Sequence, residues 1–228
     1  MAKFDVDSVN TSGKVHNVNI KVAVFGATGL TGGFVVSQAL EDGHEVTALV
    51  RDPSRVSLSH PRLTVIGGDP AAAGDVERCV GGADAVIHCL GIGGKGDGRP
   101  TSVISDSVRV TLAAMEKHNV GRIVCMSNVG AGGSGSWFGN RIVVPLFVRW
   151  LRPIIEDKDR MEAALRESSV SWCSVRLPNI TDGPERPLRI SADGRGIGLS
   201  ITAASAARFL LAQATAPELT GSTPSISN

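Results

Sequence analysis

Ile20-Lys21-Val22-Ala23-Val24-Phe25-Gly26-Ala27-Thr28-Gly29-Leu30-Thr31-Gly32 is the stretch whose reading decides the fold. An apolar run ends on a glycine, glycines recur at every third position, and residues 30–40 then space their apolar side chains as a helix. Gly43 stops that pattern, and residues 45–50 make the next β-branched run. Strand, tight turn, helix and second strand within about 30 residues form the setting in which a glycine-rich turn carries chemistry. The turn needs small residues because backbone N–H groups at a helix N-terminus must approach a pyrophosphate closely. Gly26, Thr28, Gly29, Leu30 and Thr31 are therefore expected to hold a dinucleotide, the two threonines adding hydroxyl donors.

The same rhythm continues outward. Apolar runs at residues 63–66, 85–90, 122–126 and 171–176 alternate with helical patterns at 75–80, 101–118, 156–168 and 202–214. Strands that are apolar on both faces and separated by helices predict a parallel sheet covered on both sides. Right-handed crossovers then give an α/β, doubly wound parallel sheet, the Rossmann fold. Residues 181–198 read as a loop region with room for a short strand. Residues 223–227 read as a closing strand, which Pro224 confines to an edge or to a strand start. The 228 residues fit one domain. It is expected over residues 19–228, with a small C-terminal substrate-side lobe, a covering segment at about 130–155, and residues 1–18 as a flexible extension.

Composition narrows the function. Twenty-three Lys and Arg balance 22 Asp and Glu, a net charge of +1. That balance gives no electrostatic footprint for nucleic acid or an anionic membrane as a main partner. There is no run of about 18 apolar residues, and residues 1–17 lack the pattern of a signal peptide, so a cytoplasmic protein is expected. Cys79, Cys89, Cys125 and Cys173 form no C-x-x-C pair and have no histidine at ligand spacing. They read as buried free thiols, with no metal site. The expected partner is a small-molecule substrate, with monomer and homodimer both open.

The end of the second strand bears on the cofactor. NAD binders usually place Asp or Glu there for the ribose diol, and NADP binders an Arg near the 2′-phosphate. Here the sequence reads Val50-Arg51-Asp52-Pro53-Ser54-Arg55. Asp52 before Pro53 reads as the cap of a short helix. Arg51 and Arg55 remain for the phosphate, so NADP(H) is the expected cofactor. Asp69 after the third strand, and Leu90 and Gly91 after the fourth, should flank the adenine and central ribose. His88 reads as a residue packed beneath the site.

Gly26 to Gly32, Val46 to Arg55, Gly68-Asp69, Met126-Ser127-Asn128-Val129-Gly130, Glu156 to Leu165 and Ser174-Val175-Arg176-Leu177-Pro178-Asn179 together resemble an atypical short-chain dehydrogenase/reductase. The similar subgroup is the NAD(P)H-binding, NmrA-like set that includes biliverdin reductase B (a flavin reductase). The resemblance runs from about Ile20 to the last residue. It implies a catalytic serine at Ser127 and a lysine at Lys158, both also near the cofactor. It further implies that Pro178, Asn179 and Ile180 receive the nicotinamide carboxamide. The superfamily's tyrosine, four residues before that lysine, is absent: Ile154 stands there, and the chain has no tyrosine. Ser127 would hydrogen-bond a substrate carbonyl, Lys158 would bind the nicotinamide ribose, and Asp157, Lys158 or water would relay the proton.

Asn128, Trp137 and Phe138 are the candidates for the substrate pocket. The apolar segment from Trp137 to Trp150 reads as a lid, a dimer surface or plain core. The resemblance implies an NADP(H)-dependent oxidoreductase acting on a conjugated or aromatic carbonyl, a quinone or a flavin-like molecule, as in secondary metabolism. A redox-neutral isomerase, cyclase or epimerase, and a non-catalytic NADP(H) sensor, stay open beside it.

Overall fold

A computed structural model describes residues 19–91, 99–132 and 152–228. In chain order these form β1 (Lys21–Phe25), α1 (Leu30–Glu41), β2 (Glu45–Val50), a 3-10 turn (Pro53–Arg55), β3 (Leu63–Gly67), α2 (Ala73–Val80) and β4 (Ala85–His88). There follow α3 (Val103–His118), β5 (Arg122–Gly132), α4 (Arg152–Glu167), β6 (Ser171–Leu177), β7 (Asn179–Thr181), β8 (Arg189–Ser191), β9 (Ser200–Thr202), α5 (Ala203–Thr215) and β10 (Ser225–Ser227). The substrate-pocket candidates Trp137 and Phe138, the extension 1–18 and most of the covering segment lie outside the described residues.

The main sheet has eight strands in the order β3-β2-β1-β4-β5-β6-β10-β8. Every pairing is parallel except the last, between β10 and β8. This is the doubly wound sheet that the sequence pattern predicts. The expected closing strand exists but is not an edge, because β8 covers its far side. Pro224 stands immediately before it, where a missing N–H costs nothing, and its carbonyl accepts the Arg176 N–H at 2.8 Å.

Strands apolar on both faces feed two cores. Val22, Val24, Val35, Ala48, Ile87, Val124, Leu210 and Leu211 pack between the sheet and the α1/α5 layer. Phe25, Val86, Ile104, Met115, Ile123, Met161 and Leu165 pack on the other face, under α2, α3 and α4. Helix α4 begins at Arg152, one turn before the residue-156 start expected from the sequence, and so contains Pro153. A proline in a first helical turn forfeits only an N–H that has no intrahelical acceptor. The four cysteines are buried and free, as their apolar surroundings suggest.

Candidate cofactor site and active site

β1 lies between β2 and β4, and the chain crosses over in opposite directions from this point. That leaves a crevice outside the carboxyl ends of β1 and β4, the place where such sheets take ligands. Gly26 adopts φ +82°, and a Cβ there would stand 2.8 Å from the backbone carbonyl of Cys89. A Cβ on Gly32 would stand 2.1 Å from the Gly26 oxygen, so the turn closes only with glycine. Gly29 donates to the Gly26 oxygen at 2.9 Å and opens α1. No side chain caps α1, and its first turn holds no acidic residue. Its first N–H groups therefore face outward with the positive end of the helix dipole, an arrangement that fits a pyrophosphate. Thr28, Gly29 and Leu30 are exposed at this mouth, whereas Thr31 is buried behind it.

At the end of β2 the two polar groups separate in role. Oδ1 of Asp52 accepts from Ser54 Oγ at 2.6 Å and from Ser54 N at 3.1 Å, capping the 3-10 turn. The Ser54 hydrogen bonds hold its carboxyl below the usual aspartate range. Arg51 and Arg55 are exposed beside it. Asp69 is exposed and uses Oδ1 to accept the Ala71 N–H at 2.9 Å, while its own N–H donates to Asp75 Oδ2 at 2.8 Å.

The paired ladder between β4 and β5 ends at His88 and Cys125, while that between β5 and β6 runs on to Asn128 and Leu177. Lys158 fills the resulting split. Its Nζ donates to the Leu90 oxygen at 3.2 Å and to the Met126 oxygen at 2.5 Å, one carbonyl from each diverging strand end. Burial pushes its amine down to about 8, against the opposing effect of Cys125, Cys89, Asp157 and Glu162. One of its three ammonium protons remains for another acceptor. Leu90 and Gly91 border the same split, Gly91 exposed.

Ser127 lies deeper. Its Oγ is 3.0 Å from Glu162 Oε1, and the residue is 1% exposed. Glu162 also accepts from Ser174 Oγ, from Arg176 Nε and Nη2 at 3.0 and 2.6 Å, and from Arg166 Nη2 at 3.0 Å. Burial raises the Glu162 carboxyl, but Arg176, Ser127 and Arg166 outweigh it and hold it below the usual glutamate value. An ionised carboxylate only accepts, so the shared proton is that of Ser127. Donation to a substrate carbonyl, the role expected of Ser127, would need this same proton.

Asp157 is likewise engaged. Its carboxylate is buried and accepts the N–H groups of Ile104 at 2.9 Å and Ser105 at 3.2 Å. It thus caps α3 from a neighbouring helix, since Ser102 at the N-cap position makes no side-chain cap bond. His88 stacks on Phe25 and pairs with Ser107 at 2.9 Å, fully buried beneath the site as expected. Burial lowers its pKa to about 3, which keeps it neutral.

Asn179 and Ile180 belong to β7, which pairs with β9 outside the main sheet. Pro178 precedes them at the carboxyl end of β6, and Asn179 is exposed. Asn128 is half-buried one residue beyond Ser127. The structure therefore gathers the turn after β1, Leu90, Gly91, Asn128, Lys158 and residues 178–180 at the same end of the sheet. Glu162, Arg166 and Arg176 are members of the constellation that motif reading missed. A signal was present: Glu162 stands four residues after Lys158, on the helical face that carries Met161 and Leu165 into the core. Among the described residues no group of His, Cys, Asp and Glu could hold a metal ion, and no helix is long and apolar enough to cross a membrane.

Comparison with known proteins agrees with this geometry. The sequence model of the NAD(P)H-binding family matches residues 26–217. A 3-beta-hydroxysteroid dehydrogenase from Mycolicibacterium neoaurum is 39% identical over 72 residues, 32% of this chain and 19% of that protein. The chain thus matches about a fifth of the length of that relative. A short-chain dehydrogenase/reductase from Veillonella parvula, solved in complex with NADP, superposes with TM-score 0.73 at 15% identity, covering 92% of this chain and 95% of that one. ChuY, an anaerobillin reductase from Escherichia coli O157:H7, does so with TM-score 0.73 at 21% identity, covering 91% and 96%.

Proposed function

This chain belongs to the NAD(P)H-binding family, and on that premise we propose that it is an NADP(H)-dependent reductase of a conjugated or aromatic carbonyl, a quinone or a flavin-like molecule. The observation that carries the reading is the Lys158 ammonium, which bridges the split ends of β4 and β5 with one proton to spare. In its place beside the crevice it brings positive charge and supplies the proton that tyrosine supplies elsewhere in the superfamily.

The glycine turn and the α1 N-terminus would hold the pyrophosphate, and residues 178–180 the carboxamide. Arg51 and Arg55 would hold the 2′-phosphate. Asp52 uses its Oδ1 to cap the 3-10 turn through Ser54, which favours the two arginines as the contacts at this end of the cofactor. When bound, the reduced dinucleotide supplies a hydride. Lys158 gives a proton to the acceptor oxygen and is reprotonated from water, so one hydride and one proton are consumed for each two-electron reduction. Asp157 is no competitor for this role, because both its oxygens are committed to the start of α3. A conjugated acceptor suits a single buried amine, since its own electronics spread the developing negative charge.

The missing tyrosine favours one second reading, a redox-neutral enzyme on the same fold. One assay separates them: the pure protein, NADPH, and a panel of quinones, flavins and enones, following loss of the reduced cofactor's absorbance. Oxidation that is lost in Lys158→Ala is the expected result. Tight NADPH binding without oxidation by any acceptor contradicts it.

A further inference from the structure

Ser127 and Asn128 are neighbours on β5, so their side chains leave opposite faces of the strand. Ser127 is 1% exposed, and its only proton goes to the Glu162 carboxylate. Asn128 is half-buried, and among the described residues its amide makes no side-chain hydrogen bond. Its backbone is held firmly, because it is the last paired position of the β5–β6 ladder, opposite Leu177. Pro178 and Asn179 follow immediately on β6, and the Lys158 amine grips the Met126 oxygen two residues before it. Asn128 thus stands at the carboxyl end of β5, two residues beyond the carbonyl that the amine holds and paired to the strand that leads into the backbone proposed to fix the nicotinamide.

We propose that Asn128, rather than Ser127, presents the hydrogen-bond donor that binds the substrate's carbonyl oxygen. This rests on the reading of the site as one that reduces a carbonyl or quinone. The asparagine NH2 has two protons and, among the described residues, no competing carboxylate. As negative charge develops on the oxygen, a donor fixed beforehand costs no reorganisation. The buried Glu162 has a supporting role. Its five accepted hydrogen bonds, from Ser127, Ser174, Arg176 and Arg166, tie β5, β6 and α4 together under Asn128.

The test uses NADPH oxidation with 1,4-naphthoquinone as the probe, on wild type, Asn128→Ala, Asn128→Asp, Asn128→Ser and Ser127→Ala. Thermal melts identify any variant that fails to fold. Aspartate matches asparagine in size but only accepts, so kcat/KM should fall roughly a hundredfold in both the Asp and Ala variants. Serine restores a donor and should recover part of the loss. Ser127→Ala should lose at least about tenfold less than Asn128→Ala. A wild-type rate in Asn128→Asp, or a Ser127→Ala loss as large as that of Asn128→Ala, overturns the proposal. If wild-type protein oxidises no NADPH with this quinone, calorimetric binding of the same quinone to the NADP+ complex decides this proposal, while the wider acceptor panel decides the reductase reading. Binding weakened by Asn128→Ala supports it; unaltered binding, or none by wild type, overturns it.

Discussion

Lys158 Nζ donates to the Met126 carbonyl oxygen at 2.5 Å and, on the other side, to that of Leu90 at 3.2 Å. A buried amine therefore takes the place of a missing rung where β4 and β5 part. The folded amine titrates at about 8 against an ordinary 10.5. Between those values the unfolded chain binds the additional proton, so this group makes stability rise with pH across that window. Below about 8 both states are protonated and the cost of burying the charge is fully present. Lys158→Met should flatten the rise. Calorimetric melts of both proteins from neutral pH to about pH 10 measure it.

Asp157 and α3 form a second dependency. Replacing Asp157 with Ala leaves the Ile104 and Ser105 N–H groups without an acceptor at a helix start whose N-cap residue makes no side-chain cap bond. The expected loss is about 2 kcal/mol, and Asp157→Asn should lose about half as much, because the amide keeps a single carbonyl oxygen as acceptor. Denaturant unfolding of both variants checks the order.

Glu162 should matter more. Glu162→Gln removes the charge that Arg176 faces in a buried setting, and breaking such a pair costs about 3 kcal/mol or more. Ser127→Ala removes one hydrogen bond from the same carboxylate and should cost about 1 kcal/mol. The two effects share a partner, so the double variant should be less destabilised than their sum, which denaturant unfolding of the three variants measures.

On the proposed NADP(H) reading, Arg51 carries the choice of cofactor. Arg51→Ala should weaken NADPH binding roughly ten- to a hundredfold while leaving NADH binding within about twofold. Fluorescence titration with each cofactor measures this. Equal weakening of both would contradict the NADP(H) assignment.

The parts of the fold that were legible in the sequence are those with local causes. The period of apolar residues marked the main strands and helices, and the Gly26 turn marked the switch point between β1 and β4. Asp52 was readable as a cap because its partner Ser54 is two residues away. Illegible were pairings between residues far apart in sequence. Nothing near Asp157 announces that its oxygens close the start of α3, about fifty residues earlier. Ser127 was recognisable by the resemblance of Met126-Ser127-Asn128 to the family's motif, but the direction of its proton depends on Glu162 and Arg176, which reach it from α4 and β6. The interior position of β10 was hidden for a similar reason: β8, which covers it, is three residues long and lies in a stretch rich in glycine and proline.

If Lys158 gives the proton in an NADPH-dependent reduction, the rate must follow the protonation of its amine. The pH dependence of kcat for NADPH oxidation by a quinone, in wild type and in Lys158→Met, reads this directly. The wild-type rate should fall as pH rises through about 8, and the variant's much lower rate should lack that limb. A Lys158→Met enzyme that kept the wild-type rate and the same pH profile would contradict it.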